Sequence, residues 1–146
     1  RWTYDCEEVI FWRIAMKPGR PMAVARLKHK LVVCLPGNPV ATFVCYRLIV
    51  APLLEHLQSG SVRSPLRIAL PVLFRHTKSA NRAEYLRARL VESKDGKTCI
   101  DLHGRKGAGV ISSLTGADGL VEIPVGNAGV EPGMMLNFLP FMERCL

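Results

Sequence analysis

The run Leu31-Val32-Val33-Cys34-Leu35 passes without a polar residue straight into Pro36-Gly37-Asn38-Pro39, and no other stretch restricts the fold as much. A strand with no polar alternation is one covered on both faces, as inside the sheets of α/β proteins. Proline and glycine stop it at once. From Val40 to Gln58 the apolar residues Val40, Phe43, Val44, Leu48, Leu53, Leu54 and Leu57 follow helical spacing. Asn38 is a natural N-cap, and Pro39 suits the first helical position, where a missing N–H costs nothing. Pro52 should kink this helix or split off its last turns. Strand, tight corner and capped helix in succession put backbone N–H groups at the sheet edge where open α/β folds bind ligands, and an anion is the expected occupant. Gly37 would let a ligand approach the backbone, while Pro36 and Pro39 stiffen the corner. The other reading is a bare proline-rich corner. Neither a Walker A loop nor a GxGxxG fingerprint is present.

Upstream, Val9 to Met16 reads as a strand entering a turn at Pro18-Gly19, with Met22 to Leu27 as the next strand. Downstream, Ser59-Gly60-Ser61 and Ser64-Pro65 form a short linker, after which the pattern turns to short strands: Arg67 to Phe74, Tyr85 to Val91, Thr98 to Leu102, Gly119 to Ile123 and Met134 to Leu139. Turn signals at Lys94-Asp95-Gly96, Gly126-Asn127 and Glu131-Pro132-Gly133 separate them, and a short helix is expected around Gly109 to Leu114. The fold class expected is therefore an α/β portion over residues 1–60 followed by a small all-β domain over residues 61–146, barrel-like or a sandwich.

Composition removes several function classes. With 49% hydrophobic and 22% charged residues in 146, the chain is too apolar for disorder. No uninterrupted apolar stretch is longer than Leu48 to Leu54, which falls well short of the ~20 residues of a membrane-spanning helix, so no membrane partner is expected. The N-terminus lacks the pattern of a signal peptide and does not start with methionine, which reads as a processed form or a fragment. Five cysteines without a CxxC pair suit reduced thiols and a cytoplasmic location.

The net charge of +8 is distributed in clusters. Arg13, Lys17, Arg20, Arg26, Lys28 and Lys30 have no acidic residue among them; Arg63, Arg67, Arg75, Lys78, Arg82, Arg87 and Arg89 are opposed only by Glu84. Such local fields hold anions, or simply face solvent. On a continuing strand, Arg13 and Lys17 would share one face. Tyr85, Arg87 and Arg89 alternate onto one face of their own strand, either as a phosphate contact or as the charged guard of an exposed edge. Gly104-Arg105-Lys106-Gly107-Ala108-Gly109 is a glycine-rich basic loop, and the four histidines share no ligand spacing. Nucleic acid is a poor partner, because aromatic residues are only 7% and none interleave with the basic clusters.

Four segments in register, Met16-Lys17-Pro18-Gly19-Arg20-Pro21, Leu35-Pro36-Gly37-Asn38-Pro39-Val40, Arg82-Ala83-Glu84-Tyr85-Leu86-Arg87, and Ser112-Ser113-Leu114 with Ala117-Asp118-Gly119-Leu120, resemble the C-terminal part of the MoeA family of molybdopterin molybdenumtransferases, relatives of the gephyrin E domain. The resemblance spans about Phe11 to Leu139. It implies that the first part is the end of a MogA-like pterin-binding domain and the second the small C-terminal β domain. It also implies a role in molybdenum cofactor biosynthesis, inserting molybdate into adenylylated molybdopterin with release of AMP, using Mg2+ or another divalent metal. Arg13, Lys17, Pro36 and Pro39 then match active-site positions. Arg20, Gly37, Asn38, Arg87 and Ser112 match contacts to the pterin substrate, and Asp5 matches an acidic metal position. A homodimer of the full-length protein is implied as well, and a gephyrin-like interaction or dimerisation module without catalysis is the alternative. The chain departs from the family pattern in length, in the spacing of Asp5 from the Lys17-Pro18-Gly19 turn, and in having Gly107-Ala108 where many members have Gly-Ser. Little or no transferase activity is expected of this polypeptide alone.

Overall fold

The computed structural model describes residues 8–62, 64–104 and 114–141. The chain divides into two units, Arg1–Arg63 and Ser64–Leu146, and both are rich in sheet.

In the first unit, β1 (Glu8–Trp12), β3 (Ala23–Leu27) and β4 (Lys30–Cys34) form an antiparallel sheet in the order β1-β3-β4. A two-residue strand, β2 (Met16–Lys17), lies in the loop between β1 and β3. The expectation of an inner strand covered on both sides is not met by the described residues. Within this sheet β4 pairs with β3 alone, and Leu31 and Leu35 are 38% and 37% exposed. Leu31 and Leu35 mark apolar surface left uncovered on one side of the run, while Val32, Val33 and Cys34 are half-buried. Burial concentrates instead in β3, where Ala23, Val24 and Ala25 are shut off from solvent.

The helix begins where the sequence places it. Asn38 caps it, its Oδ1 accepting from the N–H groups of Val40 and Ala41 at 3.0 and 3.2 Å. The α-helical segment α1 (Pro39–Cys45) runs through a π-helical turn, Tyr46–Val50, into α2 (Ala51–Ser59). Pro52 explains that turn. A proline ring crowds the preceding turn and removes a donor, and widening the helix by one residue absorbs both. Accordingly, Ala51 N–H donates to the carbonyl of Tyr46, five residues back. Gly60, with φ 71°, ends the helix in the left-handed conformation that glycine adopts at no cost. Taken as one, Pro39–Ser59 is a 21-residue helix with a mean hydropathy of 1.5, long and apolar enough by length and composition to cross a membrane, which the seven-residue apolar run does not convey. Val40, Ala41, Val44 and Cys45 are buried within the unit, whereas no residue from Tyr46 to Ser59 is. Asn38→Ala, which leaves two helix donors without their acceptor, is expected to cost about 1 kcal/mol in urea denaturation.

The second unit is a closed ring of strands. β5 (Ile68–Pro71), β7 (Ala83–Glu92), β8 (Thr98–Leu102), β9 (Gly119–Ile123) and β11 (Met135–Pro140) pair antiparallel in the order β8-β7-β9-β11-β5. Just beyond β5 the chain returns to β8: Val72 bridges Ile100 in parallel, and Leu73 N–H donates to the Ile100 carbonyl at 2.9 Å. A two-strand ribbon, β6 (His76–Thr77) with β10 (Gly129–Val130), completes it. The core is Val72, Phe74, Ala88, Ile100, Val121, Ile123, Val130, Leu136 and Phe138. The expected short helix at Gly109 to Leu114 falls, but for Leu114, outside the described residues.

On the outer face of this ring, Glu122 gathers polar partners from three neighbouring segments. Tyr85 Oη donates to one carboxylate oxygen at 2.7 Å; Arg67 Nε and Asn137 Nδ2 donate to the other at 3.0 and 3.3 Å. Burial works to raise the carboxyl pKa, but the hydrogen bonds from Tyr85 and Arg67, the Arg67 charge and the Asn137 bond together hold it below its ordinary value of 4.5. A carboxyl depressed in the folded state stabilises the fold above its unfolded pKa, and that contribution is lost as pH falls through the folded one. Stability followed by urea denaturation should therefore drop on acidification below about pH 4.5, and Glu122→Gln should flatten that part of the profile.

Candidate functional site

Cross-strand register decides which residues meet. Trp12 lies opposite Ala23, and Ala23 lies opposite Cys34. The chain leaving β1, the chain entering β3 and the chain leaving β4 are therefore all at one end of the sheet. Arg13, the loop carrying Lys17 and Arg20, and the Pro36-Gly37-Asn38-Pro39 corner gather there.

The loop is held by its own backbone. Arg13 N–H donates to the Met22 carbonyl at 3.0 Å, Ile14 N–H to Arg20 at 3.1 Å and Met22 N–H to Gly19 at 3.1 Å. The Lys17–Pro18 peptide bond is cis. Arg13 has φ 70°, a left-handed conformation that costs an L-residue about 1–2 kcal/mol, and with it β1 stops at Trp12. The strand thus does not continue from Arg13 to Lys17, and their even spacing does not put them on one strand face. They come to the same sheet end through a closed loop. Arg13, Lys17 and Arg20 are all exposed.

The loop is seated on the helix. Gly19 is buried with φ 119°, and a Cβ there would lie 2.5 Å from Cys45 Sγ and 2.7 Å from Met16 Cε. Burial pushes the Cys45 thiol up to about 11, so at neutral pH it is a protonated thiol, with Sγ 3.8 Å from the Gly19 carbonyl oxygen. The proline corner is fixed from the same helix. Thr42 Oγ1 donates to the carbonyl oxygens of Pro36 and of Asn38, the latter at 3.0 Å, and Thr42 N–H donates to Asn38 at 2.8 Å. Pro36 is buried, Asn38 half-buried, and Gly37 and Pro39 exposed; a Cβ at Gly37 would meet nothing within 4 Å.

One expected element of the site is corrected. The helix N-terminus offers little to an anion, because Pro39 has no N–H, Asn38 Oδ1 takes those of Val40 and Ala41, and the Asn38 carbonyl takes that of Thr42. Capping side chain and ligand would compete for the same donors. What the sheet end offers an oxyanion is the charge of Arg13, Lys17 and Arg20 beside an open, rigid corner. Thr42 and Cys45 escape the sequence reading although they fix corner and loop. Their signal is only a small polar residue and a thiol within the first two turns after the cap.

In the second unit, Arg87 is half-buried on β7 opposite Leu120 and has its own interactions within the fold. Its backbone carbonyl accepts from His103 N–H at 2.9 Å. Arg89 Nε donates to the Gly116 carbonyl. β7 pairs with β9 through Glu84 to Ala88 and with β8 through Ala88 to Glu92, so Arg87 and Arg89 each lie on a paired stretch of the strand. Asp5, Ser112 and most of the Gly104 to Gly109 loop lie outside the described residues. Among the described residues no group of three His, Cys, Asp or Glu is placed to hold a metal ion.

Residues 69–141 match the family model for the MoeA C-terminal region (domain IV), and residues 3–56 match that of a "Probable molybdopterin binding domain". Among curated proteins the chain is similar to the molybdopterin molybdenumtransferase of Haemophilus influenzae, 26% identical over 92% of this chain and 33% of the relative. It is also similar to the molybdenum cofactor synthesis protein cinnamon of Drosophila melanogaster, 31% identical over 77% of this chain and 19% of the relative. Among solved structures, the molybdopterin biosynthesis MoeA protein of Pyrococcus horikoshii superposes with a TM-score of 0.73 at 25% identity, covering 97% of this chain and 34% of its own. The chain therefore spans about a third or less of the relatives it matches.

Proposed function

The chain belongs to the MoeA family, and from that premise we propose that its first unit supplies part of the oxyanion- and pterin-binding wall of an enzyme of molybdenum cofactor biosynthesis. The reaction in this reading is insertion of molybdate into adenylylated molybdopterin with release of AMP. The observation that carries it is the gathering of Arg13, Lys17, Arg20 and the Pro36 to Pro39 corner at one sheet end. Both molybdate and the phosphates of the pterin substrate are oxyanions, and fixed cations beside a rigid backbone stabilise such charge without having to reorganise. Arg13 and Lys17 hold and orient the oxyanions, Arg20 adds to the local field, and Gly37 gives close access to the backbone. Asn38 and the two prolines keep the corner's shape rather than supplying donors.

Arg87 and Ser112 enter this reading as further substrate contacts by resemblance alone. So does a divalent metal: the described residues do not supply a donor set for one, and no step is assigned to it. A homodimer of the longer protein and a cytoplasmic location complete the proposal. Titrating the chain with molybdopterin by calorimetry tests it. Binding that weakens steeply with salt is expected, with little or no turnover by this polypeptide when molybdate and adenylylated molybdopterin are supplied. Absence of binding at low salt would refute the reading.

A further inference from the structure

The second unit carries a pair of nitrogen-bearing side chains that the proposed reaction does not use. Ala88, Ile100 and Leu102 turn inward to the core of the ring, so the residues alternating with them, Arg89 on β7 and Asp101 and His103 along β8, turn outward. His103 lies one residue past β8 and stays in register, its N–H donating to the Arg87 carbonyl at 2.9 Å. Arg89 Nε donates to the carbonyl of Gly116, in the turn before β9, which leaves the two Nη groups free among the described residues. A Cβ at Gly116 would lie 2.6 Å from His103 Nε2 and 2.7 Å from Arg89 Nη2. Glycine is thus what lets both nitrogens close on one point, near enough for a single tetrahedral oxyanion to accept from both.

Two carboxylates belong to the neighbouring segments, and both are taken up by backbone. Asp101 is directly opposite Arg89, but its Oδ1 accepts from Leu102 N–H at 2.8 Å; Asp118 Oδ2 accepts from Leu90 N–H at 2.9 Å. Among the described residues neither forms an ion pair with Arg89, which is exposed, while His103 and Gly116 are half-buried.

We propose that Arg89 and His103, meeting over Gly116, form an oxyanion site of the second unit that takes a phosphate group, either free or as the monoester of a larger ligand. The guanidinium presents its Nη donors to the phosphate oxygens, and the imidazole adds a donor when its proton is on Nε2. The site shares no residue with Arg13, Lys17 and Arg20 and does not rest on the reading of the first unit.

The test follows the histidine Cε1–Hε1 resonances of the whole chain by NMR, with His103→Gln identifying the one that matters. Inorganic phosphate and glycerol phosphate are titrated separately, against potassium chloride of matched ionic strength. Saturable movement of the His103 resonance with phosphate, absent with chloride, is expected. Arg89→Gln should weaken the binding about tenfold. Gly116→Ala, whose methyl meets the two side-chain ends first, should abolish it while leaving the urea midpoint close to that of the unsubstituted chain. Arg13→Gly should leave it unchanged, which separates this site from the sheet end of the first unit. Glycerol phosphate binding as tightly as phosphate would assign a monoester, and binding of free phosphate alone an inorganic ion. A His103 resonance that moves no further in either ligand than in chloride would overturn the proposal. Full affinity in Arg89→Gln, or an equal loss in Arg13→Gly, would overturn it too.

Discussion

A methyl group at Gly19 is expected to unseat the loop that carries Lys17 and Arg20. The added Cβ would lie 2.5 Å from Cys45 Sγ and 2.7 Å from Met16 Cε, both within the buried interior of the first unit, and the φ of 119° is one that alanine does not hold without strain. Overpacking of this kind costs about 1–3 kcal/mol and the backbone strain a similar amount. Gly19→Ala should therefore destabilise the unit by about 3 kcal/mol and weaken molybdopterin binding with it. Both tryptophans of the chain, Trp2 and Trp12, belong to this unit, so their emission during urea denaturation follows it. Cys45→Ala added to Gly19→Ala should recover the part of the steric loss that comes from Sγ, but neither the Met16 contact nor the conformational part, which gives a non-additive pair.

The second large effect is expected at Gly119→Ala. Gly119 opens β9, paired with Ala88 on one side and Pro140 on the other. A Cβ there would stand 2.3 Å from the Leu139 carbonyl oxygen and 2.5 Å from Phe138 Cζ. The oxygen belongs to the neighbouring strand's backbone and the phenyl ring is fully buried, so neither yields without parting the sheet. About 3 kcal/mol or more of lost stability is expected, seen as a lower urea midpoint by far-UV circular dichroism. An unchanged midpoint would mean that the wall of the ring is looser than its pairing indicates.

What the sequence made legible was whatever rests on short-range chemistry. The strand, corner and helix from Leu31 to Gln58 are read from proline, glycine and an Asx cap acting within a few residues, and β8 and β9 from runs of apolar residues between turns. The rest depends on closure at a distance. Arg13 takes a left-handed φ because its N–H is tied to Met22, nine residues on, and no local preference of arginine announces that. The Glu122 network joins residues 37 and 15 positions away. β6 and β10, two residues each, are too short to show a period of two. At the site, the basic residues and the proline corner are legible as types. Their assembly is a matter of register, since only the pairing of Trp12 with Ala23 and of Ala23 with Cys34 brings them to one end. The Asn38 cap is legible too, and with it the reason that the helix N–H groups are already taken.

The central claim is that the cations at this sheet end serve to bind an oxyanion, and Arg13 allows a test that separates this from folding. Glycine accepts φ 70° without penalty, so Arg13→Gly removes the charge and the strain together. The measurement is molybdopterin affinity by calorimetry alongside the urea midpoint of the same variant. Expected are a midpoint that is unchanged or higher and an affinity about tenfold weaker, the scale of a lost hydrogen bond to a charged group. Affinity equal to that of the unsubstituted chain, with the fold intact, would contradict it.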